Sequence, residues 1–478
     1  MINSTITWID SHPIRAAALA KWAVQGVNLL SNLLIMPLIF YQFGTEISGI
    51  WFFMLSWTGA FALVDFGLSQ SVTRQIAFSH GEKTKAVAIV GTKFLNIWGD
   101  RASQAVFAGA KRIFLWTAII VVLSSVLAER TFLFSGNLSA GFDVRLTWYF
   151  VALSAVGLLM AKPYQSLLEG GMLPSWQQIS ILLATLVGKI VLIVALLLGA
   201  PIWAIGAIFC LGNWTQFISS RWCVSLRLPS LMAMDSKPKK NIMKALWPLS
   251  WPQGVASTGA YMTFAVNPII IGFFLGAVAI PEYFIPWRLA NIIESAAYAI
   301  LVPNLSFFIK MLAENKIKAL LSKYFVLFAI INIFVIVAFS FYVIFGVMIV
   351  DILSAGKVRV SFTLMLAFAI YHILAVIQTS FAIFIVAHGR QPFAVVATVG
   401  AVFNISLAVI LIPRYGVLGA VIGTALAQLM TNNWFIAYYF LRLLKEHMKQ
   451  VGRQELLATI KFDVRLLVSR LIGAKMVD

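Results

Sequence analysis

The chain has 478 residues, 61% of them hydrophobic and 11% charged, and its mean hydropathy is +0.92. Soluble domains average roughly 25% charged residues, and no soluble core could bury so much apolar surface, so a soluble enzyme or nucleic-acid-binding protein is excluded. A formal net charge of +19 then reads as positively charged cytoplasmic loops, not as a nucleic-acid footprint.

A helix of about 20 apolar residues crosses the hydrocarbon core. Twelve such runs are expected, at 17–41, 47–70, 113–134, 146–168, 177–199, 201–220, 247–275, 278–308, 324–350, 360–387, 393–412 and 415–440. The runs are long and uninterrupted, which argues against a barrel of strands alternating over about ten residues. With the N-terminus inside, most Lys and Arg residues fall in inner segments. The outer loops hold Arg130, Arg145, Lys357, Arg359 and Arg414, an asymmetry that places both termini in the cytoplasm. The expected fold class is an all-α polytopic membrane protein with about twelve transmembrane helices.

Two lobes are expected. Residues 1–220 form an N-terminal six-helix lobe, 221–246 a basic cytoplasmic linker with the run Lys237-Pro238-Lys239-Lys240, and 247–440 a C-terminal six-helix lobe. A weak echo crosses the divide, in which Leu168-Glu169-Gly170 answers Ala387-His388-Gly389-Arg390, and Gly199-Ala200-Pro201-Ile202-Trp203-Ala204-Ile205-Gly206-Ala207 answers Ile412-Pro413-Arg414-Tyr415-Gly416-Val417-Leu418-Gly419-Ala420. Residues 441–478 form a basic tail in which Leu456, Ile460, Val464, Leu467 and Leu471 recur at helical spacing between cations. Such a helix lies on an anionic leaflet with its apolar face down. The 76–112 loop is similarly mixed, and reads equally as helix or as a solvated connector.

Catalytic and metal signatures are missing from the sequence. Cys210 and Cys223 give no disulfide framework, no phosphate loop, HExxH or dinucleotide fingerprint occurs, and no cofactor is expected. No cleaved signal peptide is read at the N-terminus.

Polar residues inside spans are costly, and their facing follows from the 100° turn per residue. Lys21, Gln25, Asn28 and Asn32 fall within about 60° on span one. Thr58, Asp65 and Ser69 fall within about 40° on span two. Ser250, Gln253, Ser257 and Tyr261 fall within about 80° on span seven, and Arg288, Asn291, Glu294, Ser295 and Tyr298 within about 120° on span eight. Two readings are open for these stripes, a shared polar cavity or hydrogen-bonded glue between helices. Arg288 reads as a substrate cation or as the partner of a carboxylate such as Glu294. Asp65 and Glu294 are candidates for ion coupling, with capping or packing the alternative for Asp65. Lys189, on span five, lines a cavity or serves an internal pair. His372, on span ten, reads as a proton relay or as a hydrogen-bonded structural histidine.

The run Ala62-Leu63-Val64-Asp65-Phe66-Gly67-Leu68-Ser69-Gln70-Ser71-Val72-Thr73-Arg74 resembles the end of the second helix in polysaccharide biosynthesis export proteins. These form the O-antigen flippase-like branch of the multidrug/oligosaccharidyl-lipid/polysaccharide exporter superfamily. Leu301-Val302-Pro303-Asn304-Leu305-Ser306 is similar to the family's helix-eight exit. Gly389-Arg390, Asn404 and Ile412-Pro413-Arg414-Tyr415-Gly416-Val417-Leu418-Gly419-Ala420 are similar to its helix ten to twelve region. The resemblance covers about residues 15 to 440.

It implies two six-helix lobes with helices one, two, seven and eight around a central cavity, in the bacterial inner membrane. It also implies translocation of a polyprenyl-pyrophosphate-linked oligosaccharide for O-antigen, capsule or exopolysaccharide synthesis, with glycan polymerase or glycosyltransferase partners. The family places span five peripherally, which counts against a substrate role for Lys189. Two alternatives stand beside this reading, a cation-coupled multidrug exporter of the same superfamily and an integral-membrane glycosyltransferase or polymerase.

Overall fold

The computed structural model describes residues 7, 9–80, 100–130, 141–233, 242–388, 393–452 and 459. Every regular element among them is helical. The amphipathic reading of 453–471 (apart from Thr459), residues 234–241 of the 221–246 linker with the Lys237-Pro238-Lys239-Lys240 run, residues 81–99 of the 76–112 loop, and Gly389-Arg390 lie outside the described residues.

Helix α1 runs Pro13–Ala62 and breaks at Gly44, whose φ of 73° is left-handed. Phe40 and Phe52 would stand about 18 Å apart on a straight helix, yet their rings are 5.8 Å apart. The chain therefore doubles back at Gly44, and α1 carries two of the expected crossings. After a 3-10 turn at Leu63–Asp65 come α2 (Leu68–His80), α3 (Asp100–Ala128), α4 (Phe142–Gly170), α5 (Pro174–Leu197) and α6 (Ile202–Arg227). Next are α7 (Ile242–Phe264), α8 (Asn267–Leu275) and α9 (Ile280–Leu301). The remaining helices are α10 (Leu305–Ala313), α11 (Ile317–Leu353), α12 (Phe362–Ala387), α13 (Phe393–Tyr415), α14 (Val417–Gln428) and α15 (Trp434–Val451).

Helix occurs at each of the twelve expected positions. Among the described residues, eight helices are long and apolar enough to cross a membrane, or nine if α7 and α8, bent by 43°, make one broken span. The difference from twelve has physical sources. Two crossings share α1, α9 brings Glu282, Arg288 and Glu294 into 22 residues, and α14 has 12 residues before a π-helical turn at Leu429–Asn433. Large apolar side chains such as Leu123, Leu197 and Ile344 are about two-thirds exposed. In a bilayer those faces meet lipid at no cost, and the chain is a multi-pass membrane protein.

The chain divides into two compact units. The first holds Met1–Tyr261, Pro268–Pro281 and Leu353–Lys357, so most of α7, placed in the second lobe by the sequence division, clusters here. Within it the helices approach through small residues, as membrane helices do. A Cβ on Gly188 of α5 would lie 3.1 Å from the Cα of Gly212 on α6, so the two backbones approach too closely for a side chain, and Ser180 and Ser220 hydroxyls meet at 3.1 Å. Lys357 donates to the Phe40 carbonyl at 2.5 Å, covering a backbone oxygen near the Gly44 break.

The second unit holds Met262–Asn267, Glu282–Ile352 and Val358–Asp478. A buried polar network ties four of its segments together. Asn267 donates to the Tyr283 hydroxyl at 3.0 Å and to Thr424 at 2.7 Å. Thr424 donates to Asn404 Oδ1 at 2.7 Å. Asn404 Nδ2 donates to the Met262 carbonyl at 2.8 Å, beside the interruption between α7 and α8 where helical hydrogen bonds lapse. The network thus satisfies an acceptor that the helix break exposes.

Candidate functional site

The sequence stripes separate into contacts of different kinds. In the first unit Asp65 ends the 3-10 turn, and its carboxylate accepts the Ser69 N–H at 2.8 Å and the Ser69 hydroxyl at 2.5 Å. That is an N-terminal cap of α2, which satisfies amide donors that have no helical partner. Phe66 and Gly67 follow with φ of 45° and 73°. Here the chain presses on α7, because a Cβ on Gly67 would lie 2.9 Å from both Gln253 Cβ and the Ser250 carbonyl. Phe66 stacks on Trp247 at 5.7 Å, and Ser250 donates to Ser71 at 2.9 Å. The Asp65-Phe66-Gly67 motif is therefore a joint between α2 and α7.

Tyr261 donates to the Ser56 carbonyl at 2.8 Å, over Gly59, which is helix-to-helix bonding. Gln253 reaches Ser257 at 3.4 Å along its own helix. On α1, Lys21 and Gln25 are exposed and Asn28 is half-buried. Asn32 accepts from Lys189 Nζ at 3.1 Å, so Lys189 bonds an amide of the same stripe.

In the second unit, α9 and α12 enclose a cavity of about 330 Å3. Trp287, Asn291, Glu294 and Tyr298 line it from α9, Tyr371, His372, Gln378 and Thr379 from α12, and Phe264 from the end of α7. Glu294 Oε2 lies 2.5 Å from His372 Nδ1. Glu294 Oε1 accepts the Tyr298 hydroxyl, which also meets Thr379 Oγ1 at 2.9 Å. His372 is 1% exposed, its ring stacks with those of Phe339 and Phe368 at 6.0 and 6.2 Å, and its Nε2 is buried without a hydrogen-bond partner among the described residues. Asn291 donates to the Trp287 carbonyl at 2.9 Å, while Ser295 is exposed and does not line the cavity.

Arg288 is half-buried on the same helix. No carboxylate pairs with it among the described residues, since Glu294 is engaged by His372 and Tyr298. The internal pair that the sequence leaves open for Arg288 and Glu294 is thus not formed. A wider depression of about 500 Å3 at Asn315–Ala319 and Val451 holds Lys316 and Lys318. Lys316 pairs there with Glu314 at 2.7 Å, and among the described residues no aromatic side chain lines the depression.

The sequence reading passes over Trp287, Tyr371, Gln378 and Thr379. Tyr371, His372, Gln378 and Thr379 share an arc of about 120° on α12 by the same 100° rule, so the signal was present. Asn267 and Thr424 were also missed, and no periodicity marks them.

The polysaccharide biosynthesis protein family matches residues 17–306, more than half of the chain. The chain belongs to that family. No relative among curated protein sequences matches it. Its fold is similar to that of an outward-facing MATE multidrug resistance transporter of the MOP superfamily, at a TM-score of 0.58 and 14% identity, over 90% of this chain and 96% of that one. The lipid II flippase MurJ, in an inward closed conformation, matches at 0.54 and 13% identity, over 97% and 93%. A MOP superfamily transporter from Pyrococcus furiosus, described as having a binding pocket of reverse polarity, matches at 0.53 and 13%, over 89% and 95%. At such identities these likenesses concern the fold, which is that of MOP transporters.

Proposed function

We propose that this polysaccharide biosynthesis protein flips a polyprenyl-pyrophosphate-linked oligosaccharide from the inner to the outer leaflet of the bacterial inner membrane. It acts as a transporter and not as an enzyme, with both termini cytoplasmic, and it serves O-antigen, capsule or exopolysaccharide synthesis beside glycan polymerases or glycosyltransferases. The observation that carries this reading is Arg288, a half-buried cation on a polar helix face with no carboxylate partner among the described residues. A guanidinium offers a rigid fork of donors that suits a pyrophosphate, as bidentate charge-assisted hydrogen bonds. Family membership and the fold shared with a lipid II flippase support the same direction.

The substrate's physics fits. Its tail stays in lipid, while its head must replace water hydrogen bonds during the crossing. Lys21, Gln25, Asn28, Asn32, Gln253, Ser257 and Asn291 are the proposed replacements. Ser295 and Tyr261 are weaker members of that set, since one is exposed and the other holds Ser56. The reading as a multidrug exporter would use a free carboxylate for cationic compounds, but Glu294 and Asp65 are both engaged by donors.

Deletion in the source organism tests the proposal. Surface polysaccharide is expected to disappear while its lipid-linked unit accumulates on the inner leaflet. An unchanged surface polysaccharide contradicts it.

A further inference from the structure

Flipping a loaded lipid repeatedly in one direction requires an energy source, and the cavity between α9 and α12 contains groups suited to one. Glu294 is a carboxylate on α9 of a multi-pass membrane protein, and such groups are costly at membrane depth unless paired. Both of its oxygens face hydrogen donors. Tyr298 O–H donates to Oε1, and His372 Nδ1 lies 2.5 Å from Oε2. With Glu294 ionised the carboxylate only accepts, and Nδ1 of His372 then carries the proton between them and donates it. This leaves Nε2 as the lone-pair nitrogen, buried and without a partner among the described residues. A buried imidazole nitrogen with no hydrogen bond is uncommon, because the desolvation is uncompensated.

We propose that Glu294 and His372 form a proton-binding site, with Nε2 of His372 as the atom that gains and loses the proton, and that this proton drives the transport argued above. Protonation forms one N–H bond at Nε2 and breaks one O–H bond of hydronium, which leaves as water. The dyad passes from a net charge of −1 to neutral, with Glu294 staying ionised beside an imidazolium. Release is the reverse. A charged dyad favours a state in which water reaches it, and a neutral one tolerates closure. The bound proton thus biases a conformational equilibrium through its differential stability in the two states.

The surroundings select a proton over a metal cation. Hard cations take several oxygen ligands. Here the two carboxylate oxygens already receive an N–H and an O–H donor, and no cluster of three metal-ligating side chains occurs among the described residues. The titratable neighbours are Tyr298 from α9 and Tyr371 from α12, with Tyr283 at the start of α9 acting on Tyr371. From α11 the ring facing His372 is that of Phe339, which cannot titrate. No second cation pairs with Glu294 among the described residues.

The inference rests on the flippase reading for its coupling step but not for its proton site, so two measurements separate the failures. The first needs no substrate. Protein carrying 15N-histidine is placed in lipid bilayers, and the signal that disappears in His372→Asn is followed by solid-state NMR. Its Nε2 is expected to change from the unprotonated to the protonated form on acidification. A signal that keeps one form over the whole pH range in which the protein stays folded overturns the site.

The second uses proteoliposomes loaded with polyprenyl-pyrophosphate oligosaccharide, with and without an inward proton gradient. The gradient is expected to raise the wild-type flipping rate at least about tenfold, which is 1.4 kcal/mol at the dyad. Rates of His372→Asn and Glu294→Gln are expected not to respond, at protein levels matched by gel filtration. An equal response in the wild type and both variants, or a response to a sodium gradient instead, overturns the coupling. If the wild type flips nothing in either condition, the flippase reading and the coupling fall together, and the NMR result alone decides the proton site.

Discussion

A Cβ atom on Gly67 would sit 2.9 Å from the Cβ of Gln253, so the α2 entrance and α7 touch through a residue that must lack a side chain. Gly67 also has a φ of 73°, a region that costs other residues roughly 1–2 kcal/mol. Both reasons apply to Gly67→Ala, which is expected to destabilise the protein by about 2–4 kcal/mol. Thermal unfolding in detergent, followed by size-exclusion fluorescence, checks this. A variant as stable as the wild type would mean that the joint is looser than the structure shows.

Asn404 bonds Met262, Asn267 and Thr424 where α7 gives way to α8. Asn404→Leu removes the donor to a buried carbonyl and is expected to cost about 1–3 kcal/mol. Thr424→Val alone should cost less, since Asn404 keeps its bond to Met262. Unfolding temperatures of the two variants should fall in that order.

The polar faces make a functional prediction. Replacing Asn28, Gln253 and Asn291 together with leucine is expected to leave the protein inserted, because leucine suits the bilayer, while glycan export is lost. Normal export by the triple variant would make these residues helix contacts and remove them from the substrate path.

Orientation is checked by labelling. Cysteine at Lys316 is expected to be shielded from membrane-impermeant thiol reagents in intact cells, whereas cysteine at the exposed Lys357 should react. Cys210 and Cys223 are both buried and give a low background. Reaction at position 316 without permeabilisation would reverse the topology.

Much of this was legible in the sequence, because the bilayer makes both helices and polar exceptions conspicuous. The faces of α1, α7 and α9 follow from spacing, and Asp65 was read with capping as one option. Facing alone does not say what a polar group meets. Tyr261 and Ser250 lie on the same stripe as Gln253, yet they bond Ser56 and Ser71 on neighbouring segments. The α12 face could have been read by the same rotation. The sequence analysis takes His372 alone on this helix, although the uncharged Tyr371, Gln378 and Thr379 lie on the same arc. The Asn267–Thr424 bond joins residues far apart in the chain, and no local pattern encodes such a partner.

Arg288 bears most directly on how the head group is held. Because no carboxylate pairs with it among the described residues, where Glu294 is held by His372 and Tyr298, Arg288→Ala strands no anion there, and its abundance in the membrane is expected to match the wild type. Export should be lost, while Arg288→Lys should retain part of it, keeping the charge but not the fork. Loss of the alanine variant from the membrane, with rescue by Arg288→Ala/Glu294→Ala, would restore the structural role.

The central claim is translocation itself. Purified protein in vesicles holding a polyprenyl-pyrophosphate oligosaccharide is exposed to an impermeant glycan-cleaving enzyme outside. The account predicts that the substrate in the inner-facing leaflet becomes cleavable at a rate proportional to the protein present, and that Arg288→Ala abolishes this. Cleavage that stops at the outer-leaflet fraction, as in protein-free vesicles, with correctly folded wild-type protein present, would contradict it.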